Sequence, residues 1–412
     1  MNFLFVHQCF PGQYRHILRA LSNQGHTIVG LGIHQLTEQI PSDIQYYRYP
    51  ISRGNTPGIH DWLVDVDSKL IRGEACSRAA HQLKTEGFTP DIICAHPGWG
   101  EALFLKDVWP TVPLLCYQEY FYNPHGFDYD FDPSIQGDHD WESGALLRFK
   151  NASPLLMLEA ATWNVTPTHF QKITFPTLYH SQFSVIHDGI DTRLASPSDN
   201  PPALSITDTL TVTKDIPIVT FVNRTIEPYR GCHTMIRSLP ALQEACPDVH
   251  VVFVGATTGV SYGKAAPNNS WKDIFLDEIS NQFDPTKVHF VGSLQYSDYI
   301  NLLQLSSCHV YLTYPFVLSW SLLEAMSIGV PIIGSDTSPV REVISDNVNG
   351  LLVDFFDTHS LVSSIHRVLT DNELSLGLAT NARQLIKSRY SLEVCIPQQL
   401  SLINLVASRS FD

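Results

Sequence analysis

Short apolar runs alternate with longer stretches in which apolar positions return every three or four residues, the imprint of parallel sheets built from strand-helix-strand units. In the first half the runs are residues 3–6, 27–31, 91–95, 113–117, 163–165 and 184–186. Their near-continuous apolarity predicts strands buried on both faces. A stretch rich in Ser, Pro, Asp and Thr (ASPSDNPPALSITDTLTVTKD, 195–215) interrupts the pattern, which restarts with runs at 217–222, 249–254, 288–291, 309–313 and 330–333. The expectation is an α/β chain with two Rossmann-like domains facing across a cleft: residues 1–195, a linker at 196–215, and residues 216–390. Helical patterns at 360–369 and 373–388 close the second domain, and a last one at 392–405 offers residues 391–412 to complete the first.

The length of 412 residues exceeds the size at which one core stops growing, in keeping with two domains. A formal net charge of -15, with an acidic excess in both halves, excludes the basic face that a nucleic-acid partner needs. It also leaves no strongly cationic membrane-docking face, although peripheral membrane contact of another kind stays open. The eight cysteines form no CxxC pair, and Cys94 and Cys116 sit inside apolar runs, so reduced, cytoplasmic thiols are expected. The opening residues MNFLFV lack a basic n-region and a cleavage site, and no apolar stretch is long enough to span a bilayer.

Candidate chemistry concentrates where strands end, because ligands of open α/β sheets bind beyond the carboxyl ends of the strands. Residues 220–231 read TFVNRTIEPYRG and place Arg224 and Arg230 in such a connection. A guanidinium suits a diphosphate because its planar fork donates paired hydrogen bonds; the alternative is a surface Glu227–Arg230 ion pair of little consequence. Residues 311–336 (YLTYPFVLSWSLLEAMSIGVPIIGSD) predict a strand, a loop, a helix from about Ser321 to Ile328 stopped at Gly329, and another strand. The start of that helix offers amides and a partial positive charge to an anion. Glu324 has two readings: it completes a capping box with Ser321, or it accepts hydrogen bonds from a ribose diol.

These segments resemble glycosyltransferase family 4, retaining enzymes of GT-B fold. The resemblance rests on Asn223-Arg224 to Arg230-Gly231, on the helix Leu322 to Pro331, and on the turn Ile186-His187-Asp188-Gly189-Ile190-Asp191. Phrases close to FVHQCFPGQYRH (5–16), HPGWGEALFLKDV (96–108), NRTIEPYRG (223–231), LTYPFVLSWS (312–321) and SDTSPVREVI (335–344) are similar to a bacterial subgroup of that family. What the resemblance implies is a metal-independent, retaining hexosyltransferase. It would take its sugar from a UDP- or GDP-linked donor, with no cofactor, and pass it to a hydroxyl acceptor in glycan, glycolipid or small-molecule glycoside synthesis.

On the residues, the resemblance implies that Arg224 and Arg230 hold the leaving diphosphate and that Glu324 holds the ribose. Ser319, Trp320 and Ser321 would meet the donor, and Ser293 and Leu294 the nucleobase through main-chain atoms. His96, at the end of the run 91–95, matches the family's histidine beside the donor sugar, and Gly12 is the glycine that lets backbone approach the phosphate. One departure stands out: where the family carries a first glutamate eight positions before Glu324, this chain has Phe316, followed by Val317-Leu318-Ser319.

On the acceptor side, Glu119 and Tyr120 end the next run and precede a long loop, 121–142, rich in aromatics and acids. It reads either as an acceptor lid or as a solvated acidic loop. The spacing of Asp128, Asp130 and Asp132 hints at calcium, but Pro133 stands where such a loop needs glycine and His139 where it needs its closing glutamate, so no metal is expected. Loss of either arginine is expected to lower turnover and leave the fold intact. An NAD(P) oxidoreductase is disfavoured because Gly30-Leu31-Gly32 is followed by Gln35 where the third glycine belongs. A non-catalytic sugar-nucleotide-binding subunit and a GT-B sugar-nucleotide epimerase are the alternatives.

Overall fold

The computed structural model describes residues 1–36, 39–137, 140–207, 210–267 and 270–408. It comprises two units: Met1–Pro124, His139–Gly189 and Leu392–Asp412 form the first, His125–Asp138 and Ile190–Ser391 the second. Each unit is built on a fully parallel sheet of Rossmann type.

In the first unit the strands are β1 (Asn2–Val6), β2 (Thr27–Gly32), β3 (Gln45–Arg48), β4 (Ile92–Ala95), β5 (Leu114–Tyr117), β6 (Trp163–Thr166) and β7 (Phe183–Val185). They lie in the order β3-β2-β1-β4-β5-β6-β7, so the direction of winding reverses between β1 and β4. Successive side chains of β1 enter different cores. Phe3 and Phe5 meet Ile17, Leu18 and Leu21 of the helix Arg15–Ser22 together with Leu402, Ile403 and Val406 of the last helix. Leu4 and Val6 meet Cys76 and Ala80 of the helix Val64–Thr85. Burial of both faces is the reason the strand sequence is an unbroken apolar run. The strand β3 has no such run because Gln45-Tyr46-Tyr47-Arg48 forms the largely exposed edge.

In the second unit a two-stranded antiparallel hairpin, β8 (Leu204–Ser205) and β9 (Thr211–Val212), precedes the sheet. The stretch expected to be only a linker therefore carries structure, and Val212 is fully buried in the second core. The sheet follows with β10 (Ile218–Thr225), β11 (His250–Ala256), β12 (Val288–Phe290), β13 (Cys308–Tyr311), β14 (Ile332–Ser335) and β15 (Leu351–Val353), in the order β12-β11-β10-β13-β14-β15. Its winding reverses between β10 and β13. The edge strand β15 is not among the expected apolar runs.

The units divide after Gly189 rather than at residue 195. The amide of Ile190 donates to the Tyr390 carbonyl (2.7 Å), and the hydroxyl of Ser327 donates to the Ala195 carbonyl (2.6 Å), which ties 190–195 into the second unit. Residues 125–138 also belong to the second unit, although they fall between β5 and β6 of the first. The last helix, Leu392–Ala407, packs on Arg15–Ser22, β4 and β5. Truncating its buried Ile403 to alanine is expected to cost about 2–4 kcal/mol, measured as a lowered denaturant midpoint with an unchanged m-value.

Candidate active site

Reversal of winding leaves a crevice at the carboxyl ends of two neighbouring strands, and His96 in the first unit and Arg224 and Arg230 in the second lie at such ends. In the first unit His7 follows β1 and His96 follows β4, and the pairing of Val6 with Ala95 sets their rings 5.2 Å apart, edge to face. His96 is buried, stacked between Trp99 (4.3 Å) and Tyr117 (5.5 Å). The amide of Gly98 donates to its Nδ1 (3.2 Å), so in the neutral ring the proton sits on Nε2. That nitrogen has no hydrogen-bond partner among the described residues and lies 3.7 Å from the Glu119 carboxylate. A buried donor left open in this way costs free energy unless a ligand takes it.

His7 is held in the same tautomer. Its Nδ1 accepts from the Cys9 amide (3.0 Å), and its Nε2 donates to Gln13 Oε1 (2.7 Å). Burial, and secondarily the neighbouring His96, lower its pKa to about 3, so it stays neutral. Gly12 opens the turn Gly12–Tyr14 with φ +51°, and any Cβ there would clash with the His7 ring. Gly12 is thus required by the packing of His7. Glu119 is partly exposed, whereas Tyr120 is buried with its ring edge-on to Tyr122 (5.3 Å). Sequence reasoning passed over His7, though its place directly after a strand matched the signal that singled out His96.

In the second unit Arg224 is exposed, where the β10–β11 register shifts between Val222 and Thr225. Arg230 is nearly buried, and its Nη1 donates to Thr313 Oγ1 (2.8 Å), to the Val317 carbonyl (2.9 Å) and to the Tyr311 hydroxyl (3.3 Å). Its guanidinium carbon lies 5.2 Å from the Tyr262 ring centre and 5.8 Å from that of Phe316. The surface Glu227–Arg230 pair is not formed. Glu227 is buried and accepts the amides of Ser261 (2.7 Å) and Tyr262 (3.2 Å); burial raises its pKa against the opposing pull of those amides. Among the described residues no carboxylate lies within ion-pair distance of Arg230; Glu227 acts on it only through space.

The helix begins one residue earlier than expected, spanning Trp320–Ile328, and Ser319 caps it: its Oγ accepts the Ser321 amide (3.3 Å). Glu324 then lies too far along the first turns to return to the cap, and the capping box is absent. Its carboxylate instead accepts the hydroxyls of Tyr296 (2.8 Å) and Tyr299 (2.9 Å), two residues with no local signal that connects them with it. The Ser319 amide, expected to face the donor, already donates to the Tyr311 hydroxyl (2.8 Å), the oxygen that also accepts from Arg230. One phenol thereby joins Arg230 to the start of the helix. Trp320 and Leu294 pack against the second core, while Ser293 is exposed beyond β12. Phe316 is buried among Tyr229 (5.4 Å) and Tyr262 (4.9 Å).

The three aspartates of the acidic loop serve separate partners, which is not the geometry of one cation site. Asp130 accepts the Gly126 amide (2.9 Å), Asp128 the Tyr229 hydroxyl (2.9 Å) and Asp132 the Tyr314 hydroxyl (2.6 Å). Nor is the loop merely solvated, since Asp128 and Asp132 are buried. His139 lies outside the described residues.

Two doubly wound sheets, one with a nearly buried arginine beside a helix start, have the architecture of the GT-B class. Residues 24–195 match the family described as glycosyl transferase family 4 group, and residues 207–385 match glycosyl transferases group 1. The two matches together span most of the chain, which has the GT-B fold and is a nucleotide-sugar glycosyltransferase. Among curated relatives, glycogen synthase of Mycobacterium tuberculosis is 22% identical over 91% of this chain and 86% of its own. Phosphatidyl-myo-inositol mannosyltransferase of Mycolicibacterium smegmatis is 25% identical over 46% of this chain and 45% of its own. Sucrose-phosphate synthase of Thermosynechococcus elongatus shares the fold with a TM-score of 0.73 at 16% identity, covering 98% of this chain and 99% of that one. Anabaena HepE in complex with UDP-glucose does so with a TM-score of 0.66 at 16% identity, covering 98% of each. Among the described residues no helix is long and apolar enough to cross a membrane.

The two arginines are predicted to separate in a stability measurement. Arg230→Ala strips a donor from three buried neutral acceptors and should cost about 1–3 kcal/mol in denaturant unfolding, whereas Arg224→Ala should leave the melting temperature in place. Asp132 supplies a pH test. Burial would raise its pKa, but His233 Nε2 at 3.1 Å and hydrogen bonds from Ser134 and Tyr314 outweigh it and hold the carboxyl at about 2. A depressed carboxyl stabilises the fold above its unfolded value near 4 and loses that contribution as pH falls towards 2, here about 2 kcal/mol. Wild type and Asp132→Asn should therefore differ at pH 6 by about 2 kcal/mol more than at pH 2, measured by denaturant unfolding at both.

Proposed function

We propose that this chain transfers a hexose from a UDP- or GDP-linked donor to a hydroxyl acceptor with retention of anomeric configuration, without a metal or other cofactor. The observation that carries the reading is Arg230: a nearly buried guanidinium with no carboxylate within ion-pair distance among the described residues, joined through Tyr311 to the start of a nine-residue helix. A diphosphate supplies the missing negative charge, and the helix start adds its partial positive charge to the same end of the sheet. Exposed Arg224 on the neighbouring strand end gives a second cation. Such a clamp lowers the barrier by stabilising charge that grows on the leaving nucleoside diphosphate. The acceptor oxygen bonds to the anomeric carbon on the face from which the phosphate oxygen departs, and that phosphate oxygen takes the acceptor proton.

Glu324 is assigned to the ribose diol, Ser293 and Leu294 to the base, and Ser319, Trp320 and Ser321 to the donor phosphates. In the first unit His96 is assigned to the donor sugar through its open Nε2–H, Gly12 to close backbone approach, and Glu119 and Tyr120 to the acceptor. The UDP-glucose and UDP complexes of the structural neighbour HepE make uridine donors the first to try.

A donor that binds only the folded protein raises its melting temperature, so thermal shifts with UDP-glucose and GDP-mannose choose the base. Arg224→Ala should lower nucleoside-diphosphate release by about 100-fold. Near-normal release by that variant, or activity abolished by EDTA, would remove the clamp as the source of catalysis.

A further inference from the structure

The segment His125–Asp138 leaves the chain of the first unit and folds as part of the second. Its two buried carboxylates reach the connections that carry the candidate phosphate-binding residues. Asp128 accepts from Tyr229, the residue before Arg230 (2.9 Å). Asp132 Oδ2 accepts the Tyr314 hydroxyl (2.6 Å) and lies 3.1 Å from His233 Nε2, while its Oδ1 accepts the Ser134 hydroxyl (2.6 Å) and amide (3.2 Å). The two connections are braced to each other as well, because the Tyr314 amide donates to the Tyr229 carbonyl (3.0 Å). Between Asp128 and Asp132, Phe131 packs on Tyr314 (5.1 Å), Phe355 (5.1 Å) and Phe356 (5.3 Å).

Burying carboxylates in a chain of net charge -15 is costly unless each is fully hydrogen-bonded, and an apolar insertion would anchor the same segment without that cost. What carboxylates add is direction. A carboxylate oxygen that receives Tyr314 and faces His233 sets the β13 connection against the helix Cys232–Arg237, which starts just after Gly231. Arg230 lies between these elements and spends its Nη1 on Thr313 and Val317 of the same β13 connection. A shift of Tyr314 therefore moves the acceptors that orient the guanidinium.

We propose that Asp132, acting through Tyr314 and His233 and supported by Asp128, is a positioning residue that sets Arg230 and the Ser319 end of the helix for a nucleoside diphosphate. The assignment rests on the phosphate reading of Arg230 and Arg224 given above. It makes the acidic segment, which chain order places in the first half, a working part of the donor half.

The test is isothermal titration of UDP and of GDP into the full-length protein, well below the melting temperature, with wild type, Asp132→Asn, Tyr314→Phe, Asp130→Asn and Arg224→Ala. Asp132→Asn and Tyr314→Phe should each weaken binding of the preferred nucleotide by about 10-fold while circular dichroism stays native. Asp130→Asn, which alters a carboxylate facing Gly126, should bind as wild type. A merely structural role for Asp132 would lower the melting temperature and leave the dissociation constant unchanged, and that result overturns the proposal. If Tyr314→Phe binds normally while Asp132→Asn does not, the route through Tyr314 is wrong. If Arg224→Ala also binds normally, or neither nucleotide binds to wild type, the phosphate reading itself falls. Weakened binding in Arg224→Ala with normal binding in Asp132→Asn defeats only the positioning role.

Discussion

Two adjacent parallel strands whose connections leave in opposite directions are the constraint on which both halves of this protein depend. The connections diverge at β1 and β4 in one unit and at β10 and β13 in the other. No helix covers the strand ends at such a point, so the backbone there is open to a ligand and side chains far apart in sequence become neighbours. His7 and His96 meet edge to face because Val6 pairs with Ala95, and Arg230 meets Thr313 and Val317 because β10 pairs with β13.

The second unit manages an electrostatic problem at its reversal point. A nearly buried guanidinium needs partners, yet a carboxylate there would compete with an anionic substrate. The fold supplies neutral acceptors instead: a threonine hydroxyl, a carbonyl and a phenol. Nearby acids are occupied elsewhere, Glu227 by the amides of Ser261 and Tyr262, and Asp128 and Asp132 by the phenols of Tyr229 and Tyr314. The positive charge is thus preserved without a salt bridge that would cancel it.

The first unit solves a different problem, the orientation of imidazoles. Both histidines accept a backbone amide at Nδ1, from residues two positions further along, and so keep the proton on Nε2. The glycines are part of this arrangement: a Cβ at Gly12 would strike His7, and one at Gly98 would lie 2.7 Å from the His96 ring. Glycine here serves ring packing, whatever a ligand later asks of it.

The chain's own sequence determined the two parallel sheets, since strands buried on both faces must be apolar throughout and helices must show their period. It missed β3, whose exposed edge carries no apolar run, and also β15 and the hairpin within the expected linker. It found the connections that carry His96, Arg224, Arg230 and Glu324, because strand ends and helix starts have local signals. What those side chains touch was decided only in three dimensions: Glu324 meets Tyr296 and Tyr299 rather than a cap, and Arg230 meets the β13 connection rather than Glu227. The placement of residues 125–138 in the second unit is the clearest case. Buried carboxylates must find donors wherever the fold offers them, and spacing along the chain carries no record of a phenol more than a hundred residues away.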